Sequence, residues 1–167
     1  MLRRITDLND PRISILKDDP VRPNIPADQR VTDRGTIYLW CDEDEEDSIL
    51  AAVCVMLCDS IPESEETLLH TPVGDLTVAV AYTIWSYSAG AARKLINAVR
   101  ESVPKEVTTV VTLSPQTEMA RKFHTGNGAE LVKENPTTWN FLYPSKGEAP
   151  AQNFDTAKQT AQEISCP

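Results

Sequence analysis

Apolar positions along this chain change period between Val78 and Val103, and that change marks its most informative segment. From Val78 to Trp85 the residues are mostly β-branched, aromatic or Ala, as in a buried strand. Ser86 to Ala92 carries almost no bulk. Ala92, Leu95, Ile96, Val99 and Val103 then follow the i, i+3, i+4, i+7, i+11 spacing of a helix face. The pattern predicts a strand, a tight turn and a helix that ends at Pro104. Thr108 to Leu113 reads as a short buried strand. Ser114 and Pro115 supply an N-cap and a first-turn proline for a second helix, with Met119, Ala120 and Phe123 on one face and Gly126 closing it.

Elsewhere the pattern predicts antiparallel strands. Thr36 to Cys41 and Ile49 to Cys58 bracket the acidic run Asp42 to Asp47, and with residues 76 to 85 they form an antiparallel half-sheet. The segments 129–133 and 137–143 flank Asn135-Pro136, a turn signal, and predict a terminal hairpin. Residues 18 to 30, rich in proline, carry no assignable element. The expected class is α/β (α+β), a twisted mixed sheet flanked by helices. A chain of 167 residues suits one domain with one sizeable core.

Small side chains at a strand-to-helix junction let a ligand approach the backbone. The free amides of the helix's first turn, at its positive pole, then make a seat for an anion such as pyrophosphate. Tight packing alone also explains a junction with one Gly and several Ala. The order of elements resembles the C-terminal half of the GNAT acyltransferase superfamily, whose pyrophosphate loop has the pattern Gln/Arg-x-x-Gly-x-Gly/Ala. Here the matching loop is Tyr87-Ser88-Ala89-Gly90-Ala91-Ala92. Gly90 and Ala92 fit, and Tyr87 stands where Gln or Arg is usual. In the second helix Ala120, Phe123, His124 and Gly128 fall at the family's spacings, with His124 in place of a Tyr and Ala129 in place of a Phe. The Thr-Leu-Ser-Pro run at 112–115 is similar to malonyl-CoA decarboxylase catalytic domains, which share this fold. The resemblance spans residues 36 to 143, places the family's first helix at Pro11 to Lys17, and extends loosely to small phage-encoded GNAT-like proteins.

The resemblance implies an acyl-CoA-binding domain over residues 1–144 and CoA-dependent acyl transfer, acetyl above all, to an amine of a small molecule or protein. Residues 87 to 92 would hold the pyrophosphate of acetyl-CoA or another acyl-CoA, and His124 would protonate the leaving thiolate. An unperturbed imidazole, with a pKa near 6.5, can do so when charged. As a residue near a helix end, His124 can equally serve the helix's negative pole. No general base stands out; Glu43, Glu45 or a water chain are the candidates. Ser114 has a capping explanation and no triad partners nearby. The departures at Tyr87, His124 and Ala129 keep open a second reading, a GNAT-fold binding or virion-associated module without catalysis.

Net charge is −9, with acids concentrated at Asp42 to Asp47 and at Glu63, Glu65 and Glu66, which disfavours nucleic-acid binding. An acidic rim can steer a cationic amine, or simply be solvated. Of the four cysteines, Cys54 and Cys58 share a strand face but lie ~13 Å apart at ~3.3 Å per residue, so they read as reduced core thiols. No histidine completes a zinc pattern, and no metal is expected. There is no run of eighteen apolar residues and no charged-then-apolar leader, so the expected setting is cytoplasmic or, for a phage protein, the virion. Residues 145–167 are polar, with Phe154, Ala157, Ala161 and Ile164 on one side of a thin helix: a tail, or a docking segment for a second copy or a protein partner.

Overall fold

Alternating apolar residues on either side of the acidic loop build the centre of an open, mostly antiparallel sheet of eight strands. The computed structural model describes residues 1–145; the reading of residues 146–167, with Cys166, lies outside them. β1 (Leu2–Ile5), β2 (Gly35–Cys41), β3 (Ile49–Cys58) and β4 (Val78–Ser86) form an antiparallel meander. α3 (Ala91–Ser102) returns the chain so that β5 (Thr109–Thr112) lies parallel to β4. The two-residue β6 (Ser114–Pro115) pairs with β8 (Thr138–Tyr143), which also pairs with β5 and with β7 (Glu130–Glu134). Both expected hairpin segments and the strand-turn-helix unit are present.

The alternation gives the sheet two apolar faces. Leu95, Ile96 and Val99 of α3 cover one, packing with Val53, Val55, Ala79 and Ala81. The other face carries Leu39, Cys54, Met56 and Val80, and the N-terminal segment closes it. Pro11–Asp18 forms a 3-10 helix, not the α-helix expected there, and the Asp10 side chain caps it by accepting from the Arg12 amide. α1 (Ala27–Arg30) and α2 (Glu65–Leu69) complete this layer. β1 and α2 are elements that periodicity did not predict, because four and five residues are too few to display a period.

Segment 18–30 is organised around a buried charge. Arg30 is fully buried and meets Asp19 at 2.6 Å, with neither side chain exposed. Its guanidinium also donates to the carbonyls of Ile25 and Arg22. Asp19 accepts from the amides of Val21 and Arg22 and from the Thr83 hydroxyl on β4. Burial alone would raise the Asp19 carboxyl, but these amides, Thr83 and Arg30 together hold it below the usual carboxylate value.

Two local expectations are corrected. Ser114 and Pro115 do not start a helix: they pair with Trp139 and Thr138 of β8. The helix, α4 (Glu118–Gly126), begins instead after Thr117, whose side chain accepts from the Ala120 amide. Gly126 is its last residue, Asn127 its C-cap, and the positive φ falls at Gly128. The thiols of Cys41, Cys54 and Cys58 are free and buried, and burial pushes Cys54 up to about 11. Among the described residues no helix is long and apolar enough to cross a membrane, and no group of His, Cys, Asp and Glu could hold a metal.

Asp19→Asn should destabilise the protein by ~3–5 kcal/mol at pH 7, since it leaves Arg30 buried without its counter-charge. Because the folded carboxyl sits below its unfolded value, this stabilisation is present above about pH 4 and fades as pH falls through the folded value. Urea unfolding should therefore show the gap between wild type and variant narrowing in acid. A gap independent of pH would place the effect elsewhere.

Candidate functional site

β4 and β5 run side by side only from Val78 opposite Thr109 to Ala81 opposite Thr112, followed by one rung from the Leu113 amide to the Ala81 carbonyl at 3.0 Å. Beyond that rung they part. Tyr82 is an extra residue on β4, since Cys54 faces Thr83 while Val55 faces Ala81, and such a bulge bends its strand. Pro115, two residues after Leu113, has no N–H to continue the ladder. The gap opens into a cavity of about 230 Å³ lined by Thr83, Trp85, Leu113, Ser114, Phe123 and His124, among others.

A wider groove of about 650 Å³ adjoins the cavity, sharing Ser86, Ala92, Met119 and Phe123 with it. One wall is the β4–α3 junction. Gly90, at φ +78°, is the N-cap of α3, and no side chain caps this helix. An added Cβ at Gly90 would meet nothing within 4 Å, so glycine is demanded by its left-handed backbone and not by crowding. Tyr87, Ser88, Ala89 and Ala92 line the groove with it, whereas Ala91 turns into the core. The Tyr87 hydroxyl donates to Asp18 at 2.7 Å and accepts from the Trp85 indole at 2.9 Å, tying the junction to the N-terminal segment.

The opposite wall is α4. Its face of Met119, Ala120 and Phe123 lines the cavity, with Met119 and Phe123 reaching into the groove, and Met119 is 82% exposed. Arg93 of α3 and Lys122 of α4 bring two cations to the groove in a chain whose net charge is −9. Sequence reasoning passed over both. The signal for Arg93 was its position in the first helical turn, directly after the small-residue loop.

His124 sits at the inner end of the cavity and is 4% exposed. Its ring stacks on Phe141 and meets Phe123 and Tyr143 edge-on. Nδ1 lies 2.8 Å from the Tyr143 hydroxyl. Burial pushes the imidazole down to about 4, so at neutral pH it is uncharged. The charged form that protonation of a thiolate would require is therefore not the resting form. Ser114 shares the cavity, and its hydroxyl donates to Thr112 at 2.8 Å. Glu43 and Glu45 are exposed on the β2–β3 loop, and among the described residues no carboxylate lines the cavity.

No protein-family model matches this chain, and no curated protein matches it. Its shape is shared by solved structures. A malonyl-CoA decarboxylase from Rhodopseudomonas palustris aligns over 97% of this chain and 62% of its own, with TM-score 0.67 and 19% identity. Arabidopsis thaliana NAA60 in complex with acetyl-CoA aligns over 86% and 97%, with TM-score 0.57 and 15% identity. The loading GNATL domain of CurA from Lyngbya majuscula aligns over 86% and 97%, with TM-score 0.54 and 15% identity. The fold is thus of GNAT type, and the chain spans about three-fifths of the length of the decarboxylase it resembles.

Two measurements test this geometry. Gly90→Ala should cost ~1–2 kcal/mol in unfolding free energy from its left-handed backbone; a neutral effect would mean that the loop relaxes freely. His124 should stay neutral at pH 5 by NMR. With its folded pKa below the unfolded value, its stabilisation is complete above about pH 6.5 and is lost toward pH 4, a fall of ~3 kcal/mol that His124→Phe should abolish.

Proposed function

We propose that the groove binds an acyl-CoA and that the protein transfers its acyl group, acetyl in the simplest case, to an amine. The observation that carries this reading is the exposed apolar face of α4 lying across from the uncapped N-terminus of α3. Between them runs a groove with two cations that narrows to an apolar cavity where two parallel strands part. The dimensions and chemistry suit a ligand charged at one end and apolar at the other. In this reading the loop from Ser88 to Ala92, through its amides not engaged within the loop, holds the pyrophosphate with Arg93 and Lys122, while Tyr87 ties the loop to the N-terminal segment. The pantetheine arm lies between β4 and β5, and the thioester enters the cavity.

An amine held against the thioester attacks its carbonyl carbon, and the tetrahedral intermediate collapses with loss of the CoA thiolate. One proton must leave the nitrogen and one must reach the sulfur. A neutral His124 suits a shuttle better than a pre-charged acid: with Nδ1–H donated to Tyr143, Nε2 can take the proton from nitrogen and pass it to sulfur. Positioning of the two reactants supplies much of the remaining acceleration. The likeness of the GNAT-type acetyl-CoA complex supports the ligand class.

Decarboxylation of a carboxylated acyl-CoA is the second reading. It is favoured by a cavity that holds His124 and Ser114 but, among the described residues, no carboxylate, and by an alignment with malonyl-CoA decarboxylase that covers 97% of the chain. There the C–C bond breaks to give carbon dioxide and a thioester enolate, which takes a proton at carbon.

CoA at ~100 times its dissociation constant should stabilise the protein by ~2.7 kcal/mol. Gly90→Glu, which puts a negative charge in the phosphate seat, should abolish that stabilisation while remaining folded. Thiol release from acetyl-CoA with pooled polyamines, aminoglycosides and lysine peptides should exceed that of the Gly90→Glu control and drop ~10²-fold in His124→Phe. Carbon dioxide from malonyl-CoA without transfer would select the decarboxylase. CoA binding with neither reaction would select a binding module, and no binding would remove all three.

A further inference from the structure

Directly beyond the last rung between β4 and β5, the two strand carbonyls that face the opening are both taken by one side chain. Arg22 Nε donates to the Tyr82 carbonyl at 2.9 Å, and Arg22 Nη2 donates to the Leu113 carbonyl at 3.0 Å. Its Nη1 reaches Glu65 of α2 at 3.2 Å. The side chain is only 10% exposed. Its backbone is held from both sides: the Arg22 amide donates to Asp19 and the Arg22 carbonyl accepts from Arg30. Val21, the preceding residue, lines the cavity itself.

A bulge and a proline can start a divergence, but two unpaired carbonyls facing an apolar cavity are costly, and they invite water or a shift of register. A planar guanidinium can satisfy both at once, because its donors spread in a fixed fork. We infer that Arg22 is a positioning residue: it wedges β4 and β5 apart from the sheet face opposite α3 and so presets the slot for the pantetheine arm. The inference rests on the acyl-CoA reading of the groove. It assigns Arg22 to the arm of the ligand and leaves the pyrophosphate to the β4–α3 junction, so the two halves of CoA become separate reporters.

The test compares the affinity of wild type, Arg22→Met and Arg22→Lys for CoA and for phosphoadenosine diphosphate, the nucleotide half that ends at the pyrophosphate, by calorimetry on the full chain. Wild type should prefer CoA, because only CoA fills the slot. In Arg22→Met that preference should fall ~10-fold, the worth of about one well-placed hydrogen bond, while nucleotide affinity is unchanged. Arg22→Lys keeps the charge but cannot span two carbonyls, so it should lose most of the preference as well. If Arg22→Met fails to fold, the lysine variant decides. An unchanged preference, full rescue by lysine, or equal weakening of both ligands would each overturn the wedge. A wild type that binds neither ligand would overturn the acyl-CoA reading and the inference with it.

Discussion

The fully buried pair of Arg30 and Asp19 is the constraint on which the N-terminal third of this protein depends. A guanidinium at zero exposure cannot be left unpaired, so the chain around it must bring carbonyls and a carboxylate to its donors. Ile25, Arg22 and Asp19 do so, and Asp19 spends its remaining acceptor capacity on β4 through Thr83. A proline-rich segment with little secondary structure is thereby fixed against the sheet. The pair thus converts an irregular stretch into a defined wall beside the cleft. Such a pair need not add net stability over an apolar replacement, but it does specify one arrangement of its neighbours.

The groove sets local charge against the protein's overall field. Two cations on neighbouring helices and the positive pole of α3 oppose a surface that is strongly acidic elsewhere. Deeper in, the balance shifts from charge to desolvation, and burial holds His124 neutral. A charged mouth and an uncharged end are what the proposed acyl-CoA ligand, polyanionic in one half and apolar in the other, would require.

How much of this was legible depended on how local its causes were. The β4–α3 unit could be read because its periods change from strand-like to helical within one stretch, and Gly90 could be singled out because its neighbours are all small. The role of segment 18–30 could not, because its decisive bonds join residues 64 and 91 positions apart. Ser114-Pro115 shows local chemistry losing to tertiary pairing: both residues suit a helix start, yet β8 claims them. His124 stood out by its place in the family pattern, but its neutral state follows from burial against Phe141 and Tyr143, which arrive from the terminal hairpin. The apolar face of α4 was also legible, but not where it would lie, because a period cannot distinguish core from groove.

The bulge at Tyr82 carries a consequence in parity. Along β4, Val78, Val80 and Tyr82 face one layer, and after the extra residue Trp85 faces that same layer, so even positions give way to odd. A sheet that preserves its alternation on both sides of such a slip has been given one residue that belongs to no pair. That residue divides the strand into a stretch that closes the sheet and a stretch that leaves it open. A single added position thus helps to turn a continuous wall into a wall with a slit, in a pairing pattern that otherwise tends toward completion.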